Sequence, residues 1–382
     1  MRYCNGGPVF AEWIEVSDGE IELMRQRIRE TDDRILKLVA DRMKEAEAIG
    51  RLKRTHSVPL RDYTVEARVI SHAEELCEKM GVEKQIGREI AKLLISASLS
   101  VQSSSDIKVY NGQKKRILVV GGNGKMGLWY SRFFNVQGHD VVVNDPRGGS
   151  PYKTENDLGK AALEADVVLL STPISATSSV LSEVISTGTR ALIMDGCSLK
   201  SPLIGELKRG VSLGMKIASI HPMFGPGAKT LAEQNMIVCD CGNPAAVDEA
   251  TSLFSDTCLS IRRLDIDKHD ELMVYVLGMT HAMNIVLFNA LASSGRSSSE
   301  LSEFASTTFR KQMQTTVDVA GENPLLYYEI QNLNRHREMV FHSLEQSLSE
   351  LKRASFSRSS AEFVSMVERG REYFGGPGNG QA

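Results

Sequence analysis

The sequence predicts a multidomain protein: an all-α domain of three helices, then an α/β domain built on a parallel sheet, then a second all-α domain. Three observations predict it. Residues 19–104 are charged, nearly free of proline and apolar at spacings of three and four, the period of helices with one buried face. From Arg116 onward, short apolar runs ending in Gly, Asp or Pro alternate with helix-length segments, as βαβ units do. After Asp265 the strand texture fades, and helical candidates remain near 268–292, 300–320, 324–353 and 360–373. The predicted divisions are therefore a helical domain over 19–104, a polar linker over 105–115, the sheet domain over 116–264 and a helical domain over 265–374.

Composition narrows the partners. The 382 residues suit two or three domains, and 42% apolar with 24% charged residues is ordinary for a globular protein. A net charge of −3 gives no global reason to expect nucleic acid. No run approaches 18 uninterrupted apolar residues, so no spanning helix and no membrane partner are expected. The first 18 residues carry one Arg and no long apolar core, unlike a signal peptide. Six cysteines without C-x-x-C spacing read as reduced thiols of a cytoplasmic protein. Cys239-Asp240-Cys241 lacks a His or Cys at partner spacing, so no metal is expected.

In the first helix, positions 25, 28, 32, 35, 39, 42, 46, 49 and 53 share one face. Ile28, Ile35, Val39, Ala46 and Ile49 make that face a candidate buried stripe, yet it also carries Arg25, Arg42 and Lys53. A cation there needs an anionic partner or an edge from which to reach water. Arg42 and Lys53 are separated by about 16 Å of helix, close enough to converge on one small anion. Arg25 lies a further ~25 Å away and, if functional, serves a site completed by a second subunit. Downstream, Asp62 and Glu66, and again Ser98 and Gln102, pair at i, i+4.

The first strand candidate, 117–120, runs into Gly121-Gly122-Asn123-Gly124-Lys125-Met126-Gly127 and then a helix-length segment. Gly122, Gly124 and Gly127 satisfy G-x-G-x-x-G in the strand–turn–helix setting that gives the motif its meaning. The first Gly is expected to permit the turn, the second to let backbone approach pyrophosphate, and the third to let helix and strand pack closely. The pyrophosphate rests on a helix N-terminus, including the Asn123, Lys125 and Met126 positions. Asp145, at the end of the second strand, suits a ribose diol and favours NAD over NADP, while Arg147 offers a 2′-phosphate partner instead. The pattern predicts a Rossmann-type dinucleotide-binding domain. Two later strand ends, Met194-Asp195-Gly196-Cys197-Ser198-Leu199-Lys200 and Ile220-His221-Pro222-Met223-Phe224-Gly225-Pro226, set polar groups where open α/β sheets bind ligands.

Over 19–104 the order Arg25, Arg42, Lys53, Asp62, Glu66, Ser98, Gln102 resembles the all-helical chorismate mutases. That resemblance implies that Arg25 (from the partner chain), Arg42 and Lys53 hold the two carboxylates of chorismate. Lys53 and Gln102 then face the ether oxygen and Glu66 the ring hydroxyl, with Asp62 and Ser98 as further substrate contacts. Val65 departs from the family, which commonly has Arg directly before the Glu.

Over about 115–370 the glycine loop, Ser171-Thr172-Pro173, Asp195 to Lys200, His221 to Pro226, Lys268-His269-Asp270 with His281, and Phe309-Arg310 resemble the prephenate dehydrogenases. The resemblance implies NAD as cofactor, with Ser171, Thr172 and Pro173 beside it. It implies that His221 accepts a hydrogen bond from the ring hydroxyl of prephenate and that Ser198 helps fix both. Arg310 pairs with a substrate carboxylate, and His281 lines the pocket. Relatives often carry a second His three residues before His281, where this chain has Gly278.

Together the resemblances imply a bifunctional homodimer of tyrosine synthesis that rearranges chorismate to prephenate and then oxidatively decarboxylates it to 4-hydroxyphenylpyruvate. Two alternatives stay open: a single-activity dehydrogenase whose N-terminal helices only mediate interaction, and a dehydrogenase that uses arogenate, or another small acid, rather than prephenate.

Overall fold

A computed structural model describes residues 18–375, apart from 56–62, 107–112, 229–230, 232–233, 256 and 258. The chain divides into two compact units, Met1–Asp106 and Ile107–Ala382.

The first unit is three helices, α1 (Asp18–Thr55), α2 (Tyr63–Lys79) and α3 (Lys84–Asp106). Since α3 runs to Asp106, the expected linker begins two residues late. Gly87 lets α2 and α3 approach closely, because a Cβ there would sit 2.6 Å from the Ala73 carbonyl oxygen. Packing reaches only part of the expected stripe on α1. Ala46 is buried, but Ile28 and Ile35 are 60% and 52% exposed and Ile49 is 49% exposed. A helix of 38 residues outreaches the 23-residue α3, so its N-terminal half keeps Ile21, Met24, Ile28 and Ile35 on the surface of a single chain.

The second unit opens with β1 (Arg116–Val120), α4 (Lys125–Val136), β2 (Asp140–Asn144), β3 (Lys153–Thr154), α5 (Leu158–Glu164), β4 (Val167–Leu170) and α6 (Ile174–Ser186). It continues through β5 (Leu192–Asp195), α7 (Ile204–Ser212), β6 (Ile217–Pro222), β7 (Asn235–Asp240), α8 (Pro244–Ser252) and β8 (Ser260–Asp265). The eight strands lie in the order β3-β2-β1-β4-β5-β6-β7-β8, all parallel except the β6–β7 pair. Successive residues of β1 enter opposite cores. Ile117 and Val119 pack with Tyr130, Phe133 and Phe134, while Leu118 and Val120 pack with Leu181 and Ile185. Burial on both faces explains why the parallel strands read as unbroken apolar runs. Strands β7 and β8 lie outside that rhythm: β7 pairs antiparallel with β6, and β8 is an edge strand exposing Arg262 and Arg263. Chain order reverses between β1 and β4, the crevice in which open sheets of this kind hold ligands.

Helices α9 (Ile266–Met273), α10 (Thr280–Ser293), α11 (Ser298–Glu303), α12 (Thr307–Ala320), α13 (Pro324–Leu333), α14 (Arg337–Phe356) and α15 (Ala361–Tyr373) complete the chain. Two of the long helices expected here are each broken in two. Ser306 accepts a hydrogen bond from Phe309 N–H and starts α12 afresh. Asn334 ends α13 in an extended conformation, with its side chain accepting from His336 N–H and donating to the Asp270 carbonyl. A π-helical stretch, Val274–Met279, joins α9 to α10. The resulting continuous run Ile266–Ser293 is long and apolar enough to cross a membrane by length and composition. Scattered polar side chains interrupt it, so it holds no 18-residue run of apolar residues alone.

Candidate active sites

The glycine loop sits at the crevice between β1 and β4. The turn's positive φ belongs to Gly121 (+78°), one residue before the Gly to which the motif assigned it. A Cβ on Gly121 would lie 2.6 Å from the Ser171 carbonyl oxygen, so the loop after β1 rests directly on the segment after β4. Gly122 is required for a different reason, since its Cβ would meet both Val143 methyls at 2.6–2.7 Å. At Gly127 a Cβ would strike the Gly121 carbonyl oxygen at 2.2 Å, the close helix–strand packing expected of the third Gly. No side chain caps the N-terminus of α4, where Lys125 is exposed and Met126 packs on the core. That end of the helix, with its backbone donors, suits an anion.

Asp145 follows β2 with its side chain 1% exposed. It accepts from Arg147 at Nε (3.0 Å), Nη2 (2.8 Å) and the backbone N–H (2.9 Å), and from Asn123 N–H (2.9 Å). The Arg147 guanidinium, with these other donors, overcomes the cost of burial and lowers the carboxyl to about 2. Arg147 itself is largely exposed and reaches back over Gly124. Ser171 N–H bonds to the Val120 carbonyl, Thr172 bonds to the Thr177 hydroxyl at 2.8 Å, and Pro173 is the N-cap of α6. In place of a capping side chain from α6 itself, Glu329 of α13 accepts from Ile174 N–H, Ser175 N–H and the Ser175 hydroxyl.

His221 lies on β6, 2% exposed. Its Nδ1 meets His269 Nε2 at 2.9 Å, and His269 Nδ1 meets Asp270 Oδ1 at 2.7 Å. Asp270 also accepts from Lys200 N–H, Ser201 N–H and the Ser201 hydroxyl. Burial opposes the charge, but the His269 hydrogen bond, then Ser201 and the Lys200 N–H, hold the carboxyl well below the usual range. Burial, followed by the neighbouring His269 and Lys200, pushes His221 well below the ordinary imidazole value, and burial lowers His269 as well. Beneath them the fully buried Lys200 ammonium donates to Asp195 Oδ1 (2.7 Å) and to the carbonyls of Cys197 (2.7 Å) and Ile220 (2.8 Å). Burial opposes the Lys200 charge, and the adjoining Asp195 carboxylate outweighs it, leaving the group raised.

Ser198, expected to help fix His221 and the ring hydroxyl, sits half-buried in the turn after β5, and among the described residues the His221 ring is hydrogen-bonded to His269. His269, Asp270 and Lys200 were visible as letters, but a His-Asp pair on a helix carries no periodicity that announces a contact 48 residues away. His281 stacks on Tyr327 with ring centroids 4.1 Å apart, and its buried Nδ1 has no hydrogen-bond partner among the described residues. Gln331 donates to the Gly278 carbonyl, which the π-helical stretch leaves accessible. Arg310 is exposed on α12 and forms no side-chain hydrogen bond or ion pair among the described residues.

In the helical unit, Arg42 and Ser98 come together across α1 and α3. The guanidinium donates to the Ser98 hydroxyl (2.5 Å) and the Leu94 carbonyl (2.9 Å). Lys53 is partly buried on the same helix. Arg25 stands exposed at the far end of α1, 3.6 Å from Glu22. Asp62 lies outside the described residues, as do the side chains of Glu66 and Gln102, whose backbones belong to α2 and α3.

Three family models match the chain in succession: chorismate mutase type II over 24–103, the prephenate dehydrogenase nucleotide-binding domain over 142–258, and the prephenate dehydrogenase dimerization domain over 265–368. The second match begins inside β2, so the glycine loop is located by the sheet rather than by that match. The T-protein of Enterobacter agglomerans is 22% identical over 354 residues, which span 92% of this chain and 89% of that protein. The chorismate mutase of Methanocaldococcus jannaschii is 29% identical over 92 residues, 24% of this chain and 93% of that enzyme. Among solved structures, a prephenate dehydrogenase from A. aeolicus in complex with hydroxyphenyl propionate and NAD+ is alike in fold. The TM-score is 0.55 at 17% identity, over 69% of this chain and 99% of that one.

Proposed function

We propose, from the premise that the chain belongs to the type II chorismate mutases over its first unit and to the prephenate dehydrogenases over its second, that it makes prephenate from chorismate and then consumes it. The second reaction is an oxidative decarboxylation to 4-hydroxyphenylpyruvate, so the product of one site is the substrate of the next in tyrosine biosynthesis. The observation that carries this reading is the buried imidazole of His221, held at the end of β6 in the same sheet as the glycine loop.

The first reaction needs no nucleophile, metal or redox group. It needs the substrate held folded and donors aimed at the ether oxygen as the C–O bond breaks. Arg42, beside Ser98, takes one carboxylate, and Lys53 and Gln102 serve the ether oxygen, each such donor contributing about 3–4 kcal/mol. Glu66 and Asp62 complete the substrate contacts, and Arg25 serves the site of a second copy.

In the second unit the dinucleotide is NAD, which when bound supplies the hydride acceptor. The uncapped α4 N-terminus and the close-packed glycines suit its pyrophosphate, and Asp145 suits a ribose diol. Neutral His221 draws the proton from the ring hydroxyl, the usual task of imidazole near neutrality. Arg310, exposed and without a protein partner among the described residues, receives a substrate carboxylate, and His281 borders the ring. The protein works as a cytoplasmic homodimer. A second copy covers the apolar surface that α1 and the run Ile266–Ser293 expose.

Variants that separate the two functions test the reading. Arg42→Ala removes chorismate turnover while prephenate oxidation persists, and His221→Asn does the reverse. If either substitution abolishes both reactions in a folded protein, or neither reaction, the reading is wrong. Feeding arogenate beside prephenate to the Arg42→Ala protein measures the preference between them.

A further inference from the structure

The role of His221 rests on the dehydrogenase reading above; the structure adds what makes that ring a base at the correct nitrogen. We infer that His269 and Asp270 are positioning residues that lock His221 into the tautomer whose lone pair is on Nε2.

Each step of the hydrogen-bond chain forces the next. Asp270 takes donors from Lys200 N–H, Ser201 N–H and the Ser201 hydroxyl, which marks it as an ionised, acceptor-only carboxylate. The His269 nitrogen facing it, Nδ1, must therefore carry a proton. A neutral imidazole has one N–H, so His269 Nε2 is left with a lone pair. That lone pair lies 2.9 Å from His221 Nδ1, which must then be the donor. His221 Nε2 keeps its lone pair and makes no other hydrogen bond with a described residue. During turnover the hydroxyl proton moves to Nε2, and the O–H electron pair becomes the ring C=O bond as the carbon gives up its hydride. The resulting imidazolium keeps its Nδ1–H on His269, and Asp270 stabilises the positive charge through that second ring. No proton passes to Asp270.

Three parts of the second unit converge here. Lys200 and Ser201 follow β5, His269 and Asp270 belong to α9, and Asn334 at the α13–α14 junction donates to the Asp270 carbonyl. The geometry also defines an acid switch. The charged groups facing the two rings are Lys200, Asp270 and Asp195. If His269 is protonated, its Nε2 becomes a donor, takes over the Nδ1 lone pair of His221 and leaves Nε2–H toward the substrate. The base is then lost, even though His221 itself has not gained a proton. As a coupled pair, the two rings share their apparent titration steps.

The test compares full-length wild type with His269→Leu, His269→Gln and His221→Gln. Turnover and KM for prephenate are followed across the histidine pH range, with chorismate turnover and NAD+ binding as folding controls. His269→Leu is expected to lose about 10²–10⁴-fold in kcat with KM changed little. His269→Gln, whose amide oxygen can accept from His221 Nδ1–H, should recover at least about tenfold of that loss and show a shallower acid limb. Wild-type kcat and an unchanged acid limb in His269→Leu overturn the inference. If the Leu variant fails to bind NAD+, the Gln variant decides alone, and an acid limb matching wild type overturns it. Full turnover by His221→Gln is a separate result, removing the base assignment on which the inference stands.

Discussion

His221 and Asp145 show how local environment sets the chemistry of single residues. Burial keeps the His221 ring neutral, so at neutral pH it is ready to accept a proton. Replacement by Asn should lower prephenate turnover by about 10²–10⁴-fold with little change in affinity, as steady-state kinetics would register. Asp145 is the opposite case, a carboxyl held at about 2 in the fold against 3.8 for the free group. Its folded value lies below its unfolded one. Its contribution to stability is therefore complete above about pH 4 and lost as pH falls toward 2. Wild type and Asp145→Asn should thus differ in denaturation midpoint at neutral pH and converge in acid. Arg147, paired with Asp145, bears on cofactor choice. Arg147→Ala should reduce kcat/KM with NADP+ more than with NAD+, and an equal fall with both would remove Arg147 from that choice.

At the scale of elements, the β1–α4 turn carries the most demanding geometry. Adding one methyl at Gly127 drives it into the Gly121 carbonyl, a backbone atom that cannot rotate aside as a side chain could. Gly127→Ala should cost about 1–3 kcal/mol and weaken NAD+ binding while leaving chorismate turnover intact, readable by thermal melts and the mutase assay. Elements also explain what was legible in the sequence. Strands β1, β2, β4, β5 and β6 stood out because parallel strands buried on both faces are apolar runs punctuated by Gly or Asp. Strand β7 pairs antiparallel and β3 is two residues long, so neither fits the βαβ rhythm. The break at Asn334 depends on a hydrogen bond to Asp270, a tertiary contact that helical periodicity does not encode. Likewise, the Pro-Met-Phe-Gly-Pro after His221 and the Lys268-His269-Asp270 run are both legible as motifs, whereas the contact between His221 and His269 exists only in the folded chain.

For the molecule as a whole, the apolar residues that one chain leaves exposed carry the information. The spacing of Ile28 and Ile35 predicts a buried face, yet among the described residues neither α2 nor α3 covers them, and both stay exposed. On the homodimer reading, Ile28→Asp places a carboxylate in an apolar contact. Chorismate turnover should then fall about tenfold or more, with prephenate oxidation largely retained. The two assays on one preparation check this. The central claim is that one polypeptide performs two consecutive reactions, and the most direct test supplies purified wild type with chorismate alone, with and without NAD+. Without the nucleotide, prephenate should accumulate and stop there. With it, NADH and 4-hydroxyphenylpyruvate should appear in equal amounts at the expense of prephenate. Chorismate left unconsumed in both reactions, or consumed with no NADH formed, would contradict the account.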